Sequence, residues 1–158
     1  MERNWRNGAG SYLSKSNYLS MVRPFSAVPE LFRRVRESGV MVAVASSAKQ
    51  SDLEVYLDIA GVTDLVDATT SSEDAEKSKP APDIFNVALK KLSVMADGAI
   101  AIGDAPYDAQ AATNAGMRTI GVLCGGFTEK SLRGGRCIAV YPGPAALLAC
   151  FDATPLAG

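Results

Sequence analysis

Two aspartates that follow an apolar stretch are the residues of this chain with the clearest potential for chemistry. Residues 99–102 are consecutive apolar residues, typical of a strand covered on both faces, and Gly103 lets the backbone turn. Asp104 is then expected at the carboxyl end of the strand, where open α/β sheets bind ligands. Asp108 follows at the expected N-cap of a helix over 109–115, so both carboxylates can face one volume. Such a pair suits Mg²⁺, which binds one or two carboxylates plus water and phosphate, but it equally suits a turn aspartate followed by a capping aspartate.

Three further polar residues are expected at the ends of strands or just after them. Residues 40–45 predict an apolar strand, and Ser46 and Ser47 form a small polar turn at its carboxyl end. A serine hydroxyl and a neighbouring N–H can donate to phosphoryl oxygens, and Lys79 would add a compact positive charge. Each residue also has a plainer interpretation, as a turn serine or as a solvated loop lysine, and Lys77 competes with Lys79. Together with the two aspartates, they predict a phosphate site.

The patterns of strand and helix alternate over residues 28–151, which predicts a doubly wound parallel α/β sheet. Helices are expected at about 28–38, 51–60, 83–92, 109–115, 128–132 and 144–151. Strands are expected at about 40–45, 65–69, 99–103, 119–123 and 137–140. The chain therefore divides into an N-terminal segment, residues 1–23, and one α/β domain, residues 24–158.

The composition favours small-molecule chemistry. The chain has 158 residues, a net charge of −1 and no long basic run, so neither a nucleic-acid partner nor a membrane surface is expected. Apolar runs fall short of a membrane span, and the first residues lack the apolar core of a secretory signal, so a cytoplasmic location is expected. The chain contains no histidine, which excludes Ser-His-Asp and Cys-His catalysis. Its three cysteines lack zinc-site spacing and are expected to be reduced thiols.

Three segments carry a resemblance to a known family. Residues 42–47 (VAVASS), 78–85 (SKPAPDIF) and 103–108 (GDAPYD) resemble, in that order, the second, third and fourth motifs of the haloacid dehalogenase superfamily. The types most similar are the phosphoglycolate phosphatases and β-phosphoglucomutases, and the resemblance covers about residues 24–151. It implies a Rossmann-like core and Mg²⁺-dependent hydrolysis of a small phosphorylated metabolite. The Gly-Asp fourth motif favours phosphoryl transfer over metal-free dehalogenation.

The resemblance also implies a role for each candidate residue. Ser46 and Ser47 would bind phosphoryl oxygens, and Lys79 would neutralise the nucleophile and the phosphate. Ser46 and Lys79 are thus the expected catalytic residues, and the phosphate is expected on Ser46, Ser47 and Lys79. Asp104 would bind Mg²⁺, with Asp108 close by.

The chain departs from the family at the first motif. Family members attack phosphorus with the first aspartate of an Asp-x-Asp motif, and no Asp-x-Asp occurs in these 158 residues. Residues 1–23 could at most be a remnant of the family's cap. Two explanations stay open: the chain is a fragment of a longer enzyme, or it descends from one and has lost the chemistry. We therefore expect little or no turnover by the chain as given, and the alternative function is a non-catalytic phosphate-binding, metal-binding or assembly protein.

The absent first motif also predicts a sheet without its nucleophile strand, which in the family lies between strands like 40–45 and 99–103. An empty slot would leave backbone donors and acceptors unpaired in the core. We expect 40–45 to pair directly with 99–103. The alternatives are insertion of residues 11–25 or a strand from a second copy, and an exposed strand edge would favour a homodimer.

Overall fold

The computed structural model describes residues 25–157, in which helices and parallel strands alternate. The helices are α1 (Val28–Glu37), α2 (Gln50–Ala60), α3 (Asp83–Leu92), α4 (Pro106–Asn114), α5 (Glu129–Gly134) and α6 (Pro144–Ala149). The strands are β1 (Ala43–Ala45), β2 (Ala68–Thr70), β3 (Ile100–Gly103), β4 (Arg118–Val122) and β5 (Ala139–Tyr141). Across residues 25–157, no helix has both the length and the apolar character that crossing a bilayer requires.

Local sequence signals account for several of these boundaries. Pro29 lies in the first turn of α1, where its missing N–H has no intrahelical acceptor to bond. The backbone of Gly39 just beyond α1 has φ +77°, and that of Gly61 after α2 has φ +69°. Glycine adopts this left-handed conformation without a steric penalty, and therefore both residues end their helices as predicted.

The strands form two parallel ladders. In the first, β1 pairs with β2, with Ala43 opposite Ala68. In the second, the order is β3, β4, β5, with Ile100 opposite Arg118 and Ile120 opposite Ala139. All pairs are parallel and are joined by helical crossovers, which confirms the predicted doubly wound α/β fold.

Helices cover the second ladder on both faces. One core cluster joins Leu31 of α1 and Leu147 of α6 to Ile120 of β4. A second cluster joins α3 and α4 to Ala101 of β3. Because Ile100 packs against the first cluster and the adjacent Ala101 belongs to the second, the two clusters lie on opposite faces of β3. The carboxyl ends of the strands are therefore left for the loops that carry the candidate site.

The predicted direct pairing of 40–45 with 99–103 is wrong. Within the described residues β1 is hydrogen-bonded to β2 and β3 to β4, and no ladder joins β1 to β3. The two segments nevertheless share core clusters, since Ala45 packs against the cluster that contains Ala101, and Val42 packs against the same cluster as Ile100. The prediction assumed fully buried edges, whereas β1 is only half-buried and the Ile102 residue of β3 is 44% exposed. Unpaired backbone groups cost less where water can reach them, so the cost that was expected to force the two strands together is lower than the prediction assumed.

The first alternative arrangement was insertion of residues 11–25 between the two strands. Residues 11–24 of that segment lie outside the described part of the chain, so this alternative stays open. The homodimer likewise stays a prediction.

Candidate functional site

The two aspartates lie on consecutive elements at the carboxyl end of β3. Asp104 directly follows this strand, and Asp108 is the third residue of α4. The predicted N-cap position of Asp108 is therefore wrong, since the helix begins at Pro106 and Ala105 is its N-cap. The Asp108 carboxylate still serves the helix start, because Oδ2 accepts a hydrogen bond from the N–H of Ala105 at 3.2 Å. The helix with Pro106 in its first turn therefore begins three residues earlier than predicted, without separating the carboxylates.

Lys79 reaches the second carboxylate. Its Nζ donates to Asp108 Oδ1 at 2.8 Å, and the two side chains are only 13% and 10% exposed. The ammonium also lies 5.4 Å from the centre of the Phe85 ring, which supplies a cation–π contact. An ammonium has three donors, so Lys79 can bond an anion while it holds Asp108.

Two hydrogen bonds fix the loop that carries Lys79. The Lys77 N–H donates to the carboxylate of Asp83 at the start of α3, at 3.0 Å. The Asn114 side chain at the end of α4 donates to the Pro80 carbonyl at 3.0 Å, and the peptide bond before Pro80 is cis. The lysine is thus held between α3 and α4 rather than on a solvated loop.

Asp104 has a different environment from Asp108. The residue is exposed, yet desolvation around its carboxylate and the nearby negative charge of Asp108 raise its pKa. One neighbour is Gly125, where an added Cβ would lie 2.5 Å from the Asp104 carboxyl carbon. Only glycine therefore lets the loop after β4 pass this close to the carboxylate. Sequence reasoning missed this role, although the Gly125-Gly126 pair after a strand was a usable signal.

The serine turn lies across from Lys79. The Ser46 N–H extends the β1–β2 ladder by donating to the Thr70 carbonyl at 2.9 Å, and its hydroxyl accepts from the Ala48 N–H at 3.1 Å. Ser47 and Lys79 line a common cavity of about 40 Å³. At roughly 10–15 Å³ for each water, this is space for about three waters, the scale of a small anion.

The rest of the cavity lining consists of residues that were not singled out as ligands. Three are polar, Ser72, Lys77 and Ser78, and two are apolar, Ala75 and Ile84. The structure thus groups Ser47 with Lys79, Lys79 with Asp108, and Asp108 with Asp104. Ser46 belongs to the same turn but does not line the cavity.

The charged residues that line the cavity are Lys77 and Lys79, and the Lys79 ammonium is paired with the Asp108 carboxylate, which lies outside the lining. Within residues 25–157 no group of three or more His, Cys, Asp or Glu side chains could hold a metal ion. Asp104 and Asp108 nevertheless fit a hard cation by their donor chemistry, because Mg²⁺ commonly takes one or two carboxylates and completes its shell with water and phosphate oxygens.

Comparison with known proteins relates this site to a family. The family model described as haloacid dehalogenase-like hydrolase matches residues 5–122. The Arabidopsis thaliana protein SUPPRESSOR OF QUENCHING 1, chloroplastic, is 40% identical over 99 residues, which are 62% of this chain and 9% of that protein. Pyrophosphatase PpaX of Bacillus velezensis is 23% identical over 121 residues, which are 77% of this chain and 53% of that enzyme. The chain thus spans only part of the length of these relatives.

Solved structures agree with the fold. A haloacid dehalogenase family hydrolase from Deinococcus radiodurans, determined with bound phosphate and sodium, superposes with a TM-score of 0.82 at 23% identity, over 92% of this chain and 66% of that one. A hydrolase from Pseudomonas syringae gives a TM-score of 0.82 at 23% identity, over 89% and 65% of the two chains. Since the family model covers well over half of the sequence, the chain belongs to the haloacid dehalogenase-like hydrolases.

Proposed function

We propose that residues 25–157 form the phosphate-binding and Mg²⁺-binding half of a phosphatase site that acts on a small phosphate ester. The observation that carries this proposal is the grouping of Ser47, Lys79, Asp108 and Asp104 at the carboxyl end of the strands. Hydroxyl and ammonium donors suit phosphoryl oxygens, and paired carboxylates suit a hard cation. The Deinococcus relative, whose structure contains phosphate, supports the same ligand class.

Each residue has a defined task in this proposal. Lys79 places positive charge beside the transferring phosphoryl group and is itself held in position by Asp108. Ser46 and Ser47 donate hydrogen bonds to phosphoryl oxygens. Asp104 and Asp108 would hold Mg²⁺, which when bound supplies further positive charge beside the phosphoryl group.

The sequence lacks the motif that supplies the nucleophile for the covalent step. Hydrolysis through a carboxylate nucleophile needs an aspartate beside the phosphate, and the sequence has no Asp-x-Asp. We therefore expect the 158-residue chain to bind phosphate without appreciable turnover. Its cytoplasmic location stays a prediction.

Calorimetry with inorganic phosphate tests the binding site. In Mg²⁺, the chain should bind phosphate, and Lys79→Ala should weaken binding at least about tenfold, the range of a hydrogen bond to a charged group. Asp104→Asn should remove the Mg²⁺ dependence and leave the weaker, metal-free affinity. An affinity unchanged by Lys79→Ala would refute the site.

A turnover assay addresses the activity. In Mg²⁺, the unsubstituted chain should hydrolyse an aryl phosphate no faster than the Asp104→Asn variant does. Mg²⁺-dependent turnover that the substitution abolishes would instead show that the chain catalyses hydrolysis without the family's nucleophile. Phosphate binding without turnover would support the alternative function, a non-catalytic phosphate-binding protein, for this chain.

A further inference from the structure

A pair of aromatic side chains lies on the two segments that carry Asp108 and Gly125, and it has no role in the site described so far. Tyr107 and Phe127 are 49% and 38% exposed, although both are large and apolar. Their ring centroids are 6.1 Å apart with an interplanar angle of 87°, an edge-to-face pair. Single exposed apolar residues are ordinary, but two in contact form a patch that favours binding.

Both rings are tied to the site through adjacent residues. Tyr107 immediately precedes Asp108, whose carboxylate is held by Lys79 and by the Ala105 N–H. Phe127 comes two residues after Gly125, whose backbone lies against the carboxyl group of Asp104. The two rings therefore belong to the same short segments as the residues that hold or contact the carboxylates.

The elements that carry the rings are fixed. Tyr107 lies in the first turn of α4, directly after Pro106. Phe127 precedes Thr128, the N-cap of α5, whose Oγ1 accepts from the Ser131 N–H at 3.1 Å. The start of α4 also packs against the end of α5, because a Cβ on Gly135, the C-cap of α5, would lie 2.8 Å from the Pro106 carbonyl oxygen. A ligand that contacts the rings would therefore find them already in place.

We propose that Tyr107 and Phe127 form a subsite for the organic group of a phosphate monoester, and that this subsite favours an aryl or other flat apolar group over a small alkyl group. The proposal rests on the phosphate site proposed above. With the phosphoryl group at Lys79 and Ser47, the ester oxygen directs the organic group toward the rim of the site. The exposed edge-to-face pair leaves ring surface there for one more aromatic contact, worth about three- to tenfold in affinity.

The test is a calorimetric titration of the full chain, in Mg²⁺, with phenyl phosphate and with methyl phosphate. The two esters share the phosphoryl group and differ in the organic group, so the ratio of their dissociation constants reports the subsite. Phenyl phosphate should bind about three- to tenfold more tightly. Tyr107→Ala and Phe127→Ala should each lower that ratio toward one while the affinity for methyl phosphate stays unchanged.

Tyr107→Phe is the matched control, because it keeps the ring and removes only the hydroxyl group, and it should preserve the ratio. A ratio near one in the unsubstituted chain, or a ratio that both alanine variants preserve, would overturn the aromatic subsite while leaving the phosphate site intact. Failure of both esters to bind would overturn the phosphate site, and the subsite with it.

Discussion

The ion pair between Lys79 and Asp108 should contribute to folding stability as well as to the site. The atoms Nζ and Oδ1 are 2.8 Å apart, and the side chains are 13% and 10% exposed. At an effective dielectric constant of about 20, two unit charges at that distance attract by about 6 kcal/mol. Removing the two ions from water costs several kcal/mol each, so most of the attraction is offset. We expect a net coupling free energy of about 1–3 kcal/mol.

A double-mutant cycle measures this coupling. Lys79→Met leaves the Asp108 carboxylate poorly solvated near Asp104, and should lower the free energy of unfolding by about 2–4 kcal/mol. Asp108→Asn keeps an oxygen that can accept the Ala105 N–H, and should cost about 1–3 kcal/mol. The double variant should lose less than the sum of the two. Urea denaturation followed by circular dichroism at pH 7 gives all four stabilities.

The exposed pair of Arg133 with Glu129 is the internal control. Its atoms are also 2.8 Å apart, but the side chains are 53% and 55% exposed. Water screens such a pair, and its cycle should give at most about 0.5 kcal/mol. Equal coupling energies in the two cycles would refute the argument that burial makes the Lys79–Asp108 pair stronger.

Three further substitutions follow from single contacts. Gly125→Ala should lower the free energy of unfolding by about 1–3 kcal/mol and remove the Mg²⁺ dependence of phosphate binding, because the new Cβ would lie 2.5 Å from the Asp104 carboxyl carbon. Urea denaturation measures the first effect, and calorimetry measures the second. Asp67→Asn should cost about 1 kcal/mol at pH 7 and progressively less as the pH falls, because hydrogen bonds from Arg36 and from the Val42 N–H lower the pKa of Asp67. The contribution of Asp67 is complete above its unfolded-state pKa and is lost as the pH falls through the lower folded-state value, which urea denaturation at a series of pH values would show. Thr119→Val should raise the thermal midpoint, equivalent to about 0.5–1.5 kcal/mol, because the buried Thr119 hydroxyl has no hydrogen-bond partner among residues 25–157.

Each of these three changes has a control in the same chain. Gly134→Ala places a Cβ in open space at the end of α5 and should be neutral or stabilising. Asp152→Asn breaks an exposed ion pair with Arg34, in which Asp152 is 85% exposed, and should lower the stability at pH 7 by less than Asp67→Asn does. Thr70→Val should destabilise the fold, since its buried hydroxyl donates to the Ile84 carbonyl at 3.4 Å. A control that matches its test variant would contradict the corresponding reasoning.

The sequence predicted those parts of the fold and site that depend on local signals. The alternation of apolar runs with amphipathic segments is a property of neighbouring residues, and it was enough to identify the doubly wound sheet. The position of Asp104 after β3 follows from the strand alone. By contrast, the contact of Gly125 with Asp104 joins the ends of two strands, and no local pattern encodes the distance between those loops. The aromatic contact of Tyr107 with Phe127 is likewise non-local.

The wrong prediction about β1 and β3 has a different cause. The prediction assumed the full free-energy cost of leaving backbone groups without hydrogen bonds in a dry core. It concluded from this cost that the two strands must pair. That cost depends on burial, which sequence gives only as an average over a segment, and the apolar run 99–102 was interpreted as buried throughout. In the structure Ala101 is buried while the next residue, Ile102, is 44% exposed. Ala45 packs against the cluster that contains Ala101, and Val42 packs against the same cluster as Ile100, so the two ladders share cores. Among residues 25–157, side-chain packing thus supplies the cohesion that the prediction assigned to direct pairing of the two strands.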